Sequence, residues 1–336
     1  MATGKDGVAE HEAAGADGAT TRAGVDLGGT KIEAVVVTAE SVVRGQQRVS
    51  TPTEGGPADV ADQIVAALRS AATDAGIEPR SLVRIGIGSP GNVDQASGAV
   101  SAAGNLPGWE GSFPLGEYVS AALGPPVTVA NDVDVAVRAE VRVGAARSYH
   151  STLGVWWGTG VGGAVVIDGE LWSGRGAAGE IGHMVVRRGG ARCPCGRRGC
   201  MEAYAGRAAM ERRARREHEK GRRTDLFELM RHHDRDRLTS GVWERALNHG
   251  DKLAGELLDS AVRALGTGIA SAVNLFDPEA VILGGGLGDR LGPRYADAIQ
   301  AEMAKHLFVD EDPPAFRLAD LGDLGGAIGA SLLDAL

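Results

Sequence analysis

All three cysteines of this 336-residue chain fall within eight positions, Cys193, Cys195 and Cys200, with His183 ten residues ahead of the first. Three thiols and one imidazole form a Cys₃His set, which suits the closed tetrahedral geometry of structural zinc. Gly196 and Gly199 let a short knuckle fold back so that Cys195 and Cys200 can reach one ion. Free cysteines also occur simply as small buried hydrophobes. Chance placement would rarely gather every cysteine into one stretch, and the metal reading outweighs that alternative. Glu180 and Glu202 bracket the set and are not needed by an ion. A clamped loop holding two carboxylates and a histidine suits a ligand rich in hydroxyl groups.

Composition narrows the field further. The chain is long enough for about two domains. Its net charge of −9 asks for neither nucleic acid nor an anionic membrane. Fifty-one glycines beside only 4% aromatic residues point to many tight backbone turns rather than stacking platforms for bases. Cysteines confined to one cluster fit a metal in a reducing cytoplasm, not disulfides. No run approaches the ~18 apolar residues of a membrane span. Residues 1–23 lack an apolar core segment and read as a disordered, mildly acidic tail.

Order is expected from Gly24. Val25-Asp-Leu-Gly-Gly-Thr-Lys-Ile-Glu-Ala-Val-Val-Val37 is an apolar run, a glycine break and a second apolar run, the pattern of a β-hairpin. Val60, Ile64 and Leu68 recur at helical spacing behind Pro57. Val83, Ile85 and Ile87 alternate as a strand. Residues 104–109 are too rich in turn formers for regular structure. A short strand, Val127–Ala130, stops at Asn131-Asp132, where a helix from Val133 to Ala145 begins. The second half repeats the theme, with strand Leu153–Trp157, glycines 158–163, strand Ala164–Ile167 and a turn at Asp168-Gly169. The arginine-rich stretch 207–236 lacks interleaved aromatics and reads as a solvated helix face. A long helix, Leu253–Val273, precedes strand Ala280–Leu283, the triplet Gly284-Gly285-Gly286 and another helix. Residues 325–336 read as a closing helix. Two strand–glycine–strand units in two halves imply a duplicated α/β architecture around a cleft.

Gly158, Gly160 and Gly163 match G-x-G-x-x-G, but a dinucleotide fingerprint needs a helix after the glycines. Strand comes next here, so that reading is rejected. No G-x-x-x-x-G-K-[ST] occurs either. There remain glycine hairpin tips, where backbone N–H groups can converge on phosphate oxygens with no Cβ in the way.

Glu180-x-Gly-His183 followed by C-x-C-G-x-x-G-C-x-E resembles the signature of the ROK family, and specifically of its glucokinase-like sugar kinases. Asp26-Leu-Gly-Gly-Thr-Lys31 is similar to that family's phosphate-binding hairpin, and Asn131-Asp132 to its N-D pair. The resemblance spans nearly everything from Gly24 onward. It implies an actin-like, hexokinase-type ATPase fold: 24–133 a small α/β domain completed by the C-terminal helix 323–336, and 134–322 a large one carrying the zinc knuckle 183–200. It implies ATP with Mg²⁺, contacted by Asp26, Gly28, Gly29, Thr30, Gly158, Thr159, Gly160, Gly284, Gly285 and Gly286. Asp132 becomes the catalytic base through this resemblance, although as a residue alone it reads first as a helix N-cap. Sugar recognition falls to Asn105, Asn131, Asp132, Glu180, His183 and Glu202, with His183, Cys193, Cys195 and Cys200 on structural zinc.

The implied reaction is phosphorylation of glucose to glucose 6-phosphate. The alternatives are N-acetylmannosamine, N-acetylglucosamine, fructose or a sugar-like cyclitol as acceptor, and polyphosphate as donor. A non-catalytic sensor would not need both the D-L-G-G-T-K and N-D pairs. Family repressors carry an N-terminal helix-turn-helix, for which the residues before Asp26 are too few and too aperiodic. A cytoplasmic homodimer or homotetramer is the implied setting. One departure is Asp134, where the family commonly has Asn. A carboxylate in a first helical turn suits the helix dipole.

Overall fold

The computed structural model describes residues 20–334. The expected disordered tail lies largely outside the described residues. Its last two positions belong to strand β1 (Arg22–Leu27), so regular structure begins before Gly24. The chain divides into two compact units, one of residues 20–135 with 326–334 and one of residues 136–325.

In the first unit β1 turns back as β2 (Lys31–Val37), and β3 (Val43–Ser50) pairs antiparallel with β2. Six of the seven β2 residues are buried, among them Glu33, whose carboxylate pairs with Arg48 of β3. Helix α1 (Pro57–Asp74) comes next, with the Gly56 N–H donating to the Asp59 carboxylate at 2.8 Å. Its Val60, Ile64 and Leu68 are fully buried, as their spacing predicts. Then come β4 (Ile85–Ser89), a small hairpin of β5 (Asn92–Asp94) and β6 (Ala99–Ser101), α2 (Leu115–Leu123), β7 (Val127–Asn131) and α3 (Asp132–Val143). The sheet order is β3-β2-β1-β4-β7, with β1, β4 and β7 parallel. The expected alternation at Val83 fails. Val83 lies outside β4 and is 48% exposed, whereas all five β4 residues are buried. A parallel strand covered on both faces has no reason to alternate.

The second unit repeats the plan. β8 (Thr152–Trp157), β9 (Val161–Ile167) and β10 (Glu170–Leu171) form an antiparallel meander. Helices α4 (Glu202–Ala205), α5 (Arg207–Glu219), α6 (Leu226–His232), α7 (Ser240–Asn248) and α8 (Lys252–Phe276) lead to β11 (Ala280–Gly284), α9 (Gly285–Ala304) and β12 (Ala315–Leu318). The order β10-β9-β8-β11-β12 matches the first sheet strand for strand, again with the last three parallel. The duplicated α/β architecture is therefore present. Asp251 caps α8 by accepting from the Ala254 N–H at 2.9 Å, and a left-handed Asp277 before Pro278 ends it. The arginine-rich stretch is more than a solvated face. Ala209, Met210 and Ala214 of α5 and Leu226 and Phe227 of α6 are buried while Arg212 and Arg216 stay exposed.

The closing helix α10 (Gly325–Ser331) is shorter than expected, because Leu332 and Leu333 bond three residues back and tighten the last turn. It returns to the first sheet at two glycines. A Cβ on Gly24 would lie 1.9 Å from the Ala327 carbonyl oxygen, and one on Gly86 only 1.8 Å from that of Ala330. Backbone cannot yield as a flexible side chain can. Gly86→Ala is expected to lower stability by about 1–3 kcal/mol, the usual cost of overpacking, read as a lower urea midpoint.

Candidate functional site

In the first unit the three parallel strands end together. Asp26 pairs across to Gly88, and Gly88 to Ala130, so Asp26 and the Asn131-Asp132 pair stand at one carboxyl edge of the sheet. Ligands of open α/β sheets bind outside such edges. The β1–β2 turn is pinned by the Gly28 N–H on the Lys31 carbonyl at 2.9 Å and by the Thr51 hydroxyl on the Gly28 carbonyl at 2.6 Å. Asn105 comes from the turn-rich loop and sits directly on this tip. A Cβ on Gly29 would be 2.8 Å from the Asn105 carbonyl oxygen and 3.0 Å from its side-chain nitrogen. The residue expected at the sugar and the glycine expected at the phosphates are therefore neighbours.

Asn131, not Asp132, caps α3. Its Oδ1 accepts from the N–H groups of Val133 at 2.9 Å and Asp134 at 3.3 Å. Asp132 is the first helical residue, and its Oδ1 accepts from the Val133 N–H at 2.9 Å. The start of α3 can approach β4 because residue 88 is glycine. A Cβ there would lie 3.5 Å from the Asp132 Cα and 2.4 Å from a Val135 methyl.

In the second unit His183, Cys193, Cys195 and Cys200 present one donor atom each, all within 4.8 Å of one another. Cys195 Sγ and Cys200 Sγ are 3.7 Å apart, and Cys193 Sγ is 3.7 Å from His183 Nδ1. Tetrahedral zinc with Zn–S of about 2.3 Å and Zn–N of about 2.0 Å would separate its donors by roughly 3.5–3.8 Å, so the set fits such an ion. The fold-back occurs at Gly196 and Gly199, both with φ in the left-handed region (+88° and +86°). Burial pushes the Cys193 thiol up to about 12 and raises that of Cys200, while a hydrogen bond from the Arg197 backbone draws Cys195 down to about 7. A divalent cation is the natural means of ionising all three. His183 turns Nδ1 to the sulfurs and leaves Nε2 3.8 Å from the Glu180 carboxylate.

Glu202 has a second attachment that its sequence position does not suggest. One of its oxygens accepts from the Val161 N–H at 3.1 Å, and the other is 3.7 Å from Cys193 Sγ. It thereby joins the knuckle to the Gly158-Thr159-Gly160 hairpin. The chain after Cys200 is laid along that hairpin throughout. Trp157 Nε1 donates to the Ala205 carbonyl at 2.8 Å, and the N–H groups of Arg207 and Ala208 donate to the carbonyls of Gly158 and Thr159 at 3.1 and 3.0 Å. Arg207 also donates from its guanidinium to the Thr159 hydroxyl at 2.8 Å and to the Leu238 carbonyl at 3.1 Å. The sequence pattern conceals this contact of Arg207 with the hairpin, since Arg207 opens a stretch with the composition of a solvated surface. The Gly284–Gly286 turn meets the same hairpin. A Cβ on Gly158 would stand 3.9 Å from the Gly286 nitrogen, and one on Gly285 3.0 Å from the Trp157 carbonyl. Gly160 leads into strand β9, not into a helix.

The profile of the ROK family matches residues 22–335. This chain is a member of the ROK family. It is 33% identical to a glucokinase of Streptomyces coelicolor over 92% of its own length and 95% of that protein. Its structure is similar to that of a ROK hexokinase from Thermus thermophilus, with 35% identity, TM-score 0.76, and 93% and 97% of the two chains covered. It is equally similar to a ROK glucokinase from Streptomyces griseus in complex with glucose and AMPPNP, with 33% identity, TM-score 0.76 and coverage of 93% and 98%. Among the described residues of this ROK protein no helix is long and apolar enough to cross a membrane.

Proposed function

We propose that the protein is an ATP-dependent hexose kinase whose first acceptor is glucose, phosphorylated at O6. The alignment of Asp26 with Asn131-Asp132 at one sheet edge carries this reading. Two strand spacings separate them, about 10 Å, a span suited to a phosphoryl group in transit. The sugar's O6–H proton passes to Asp132. The freed oxygen bonds to the γ-phosphorus as the bond from that phosphorus to the β–γ bridging oxygen breaks, and ADP leaves with the bridging oxygen. Little covalent help is needed for such a transfer; positioning and charge neutralisation dominate. MgATP is the co-substrate, with Asp26 toward its hydrated metal and the backbone of Gly28–Thr30, Gly158–Gly160 and Gly284–Gly286 toward its phosphates and adenosine.

Glu180, His183, Glu202, Asn105 and Asn131 supply donors and acceptors to the sugar hydroxyls, and a site built to pair each hydroxyl rejects acceptors that leave its polar groups unpaired. Zinc on His183, Cys193, Cys195 and Cys200 supplies structural order when bound. His183 through Nδ1 would leave Nε2 for a hydroxyl, with its tautomer set by the ion. Homo-oligomerisation accompanies this reading. An ADP-release screen over glucose, fructose, N-acetylmannosamine, N-acetylglucosamine and cyclitols, with ATP and polyphosphate as donors, tests it. Glucose with ATP is expected to give the highest kcat/KM. Silence on every acceptor would instead favour a sugar sensor. Arg207→Ala, which removes the guanidinium from Thr159, is expected to raise KM for ATP by roughly 10- to 100-fold, as loss of a charged hydrogen bond of about 1.5–3 kcal/mol implies, with KM for sugar little changed.

A further inference from the structure

The second unit carries a basic cavity that phosphoryl transfer does not use. It has a volume of about 420 Å³ and opens between α5, α8 and the segment at Arg187. Five arginines line it, Arg187, Arg213, Arg216, Arg222 and Arg263, against three acids. In a chain of net charge −9 this is a local reversal of sign.

The polar groups can be accounted for one by one. Arg222 is spent on Glu256, with 2.8 Å hydrogen bonds to both carboxylate oxygens. Glu217 is answered by Lys220 at 2.9 Å. Arg213 donates to the Ser260 hydroxyl at 3.1 Å and lies 5.9 Å from the centre of the Tyr204 ring. The third acid, Asp259, stands one turn before Arg263 on α8. Arg187, Arg216 and Arg263 line the cavity with no side-chain hydrogen bond or ion pair among the described residues. Burial lowers the basicity of Arg213, and Arg216 and Arg187 lower it further by repulsion. Gathering guanidiniums this way costs free energy unless an anion lies among them.

We propose that this cavity binds a small molecule bearing more than one phosphate group. Planar guanidinium forks match phosphate oxygens in pairs. A single phosphate carries about −1.5 to −2 charges and leaves three unspent forks underused, whereas a diphosphate answers them. The volume exceeds that of a lone inorganic anion. A nucleic-acid strand would call for stacking rings along a groove, and no aromatic residue lines this cavity. A neighbouring cavity shares Arg213 and Arg216 and reaches Cys193, so an occupant would rest on the helix that backs the knuckle.

Isothermal titration of the full, metal-loaded protein with pyrophosphate at constant ionic strength tests this. The R216A/R263A double variant changes only exposed side chains outside the proposed kinase machinery. It is expected to weaken pyrophosphate binding at least tenfold, and Arg187→Gln alone to weaken it severalfold. Equal binding by wild type and both variants, or heat no greater than that of matched chloride, would overturn the proposal. Because the readout is binding, the result is independent of which sugar the enzyme turns over, or whether it turns one over.

Discussion

Asp132→Asn is expected to lower kcat by about 10²–10⁴-fold, the usual contribution of a positioned general base, while melting temperature and bound metal stay as in the wild type. The structure explains why this substitution isolates chemistry from folding. A helix N-cap is worth about 1 kcal/mol, and had Asp132 been the cap its replacement would confound the two. The cap of α3 is Asn131, whose Oδ1 takes the N–H groups of Val133 and Asp134. Asparagine at 132 keeps the shape and an oxygen for Val133 while losing the capacity to accept a proton at neutral pH. The complementary substitution, Asn131→Ala, should cost stability first. ADP-release kinetics beside circular-dichroism melts check both. A near-wild-type kcat in Asp132→Asn would remove Asp132 from the role of base.

Removing the metal, by chelation or by Cys200→Ser, is expected to weaken sugar binding at least tenfold, in line with the 10–100-fold losses caused by disrupting groups that orient a metal site. The melting temperature should fall by on the order of 5–10 °C, since each kcal/mol moves the midpoint of a unit this size by roughly 2–4 °C. Cys200 is fully buried and Cys193 is 2% exposed, so neither thiol has water to replace a lost ligand. The contact of Glu202 with both Cys193 and Val161 adds a consequence that the motif does not announce. Loosening the knuckle releases the Gly158–Gly160 hairpin, so KM for ATP should rise along with that for sugar. Zinc analysis, calorimetric titration with glucose and steady-state kinetics on the same preparation separate these effects. Metal-free protein that bound glucose normally would break the coupling.

The features legible in the amino-acid order were those encoded by neighbouring residues. The β1–β2 hairpin, the i, i+4 apolar face of α1, the strand-to-helix junction at Asn131-Asp132 and the four metal donors each lie within one short segment, and local spacing is enough to expose them. The second half's repetition of the first was legible for the same reason, and the two sheets carry it in identical strand order. Elements with weak periodicity escaped. β3 is amphipathic but rich in arginine and glutamine, β12 is four residues long, and α2 and α7 are nine residues each.

Tertiary structure alone decided the relations between residues far apart in the chain. Asn105 rests on Gly29, Glu202 reaches Val161, Arg207 holds Thr159, and α10 lies on Gly24 and Gly86. It also settled which of two adjacent acceptors caps α3. The amino-acid order determines the donor types, the turns and the apolar faces because backbone geometry and hydrophobic periodicity act over a few residues. Which carboxylate joins which hairpin depends on how strands register and helices pack, where small differences among many long-range contacts select one arrangement, and no short pattern records that choice.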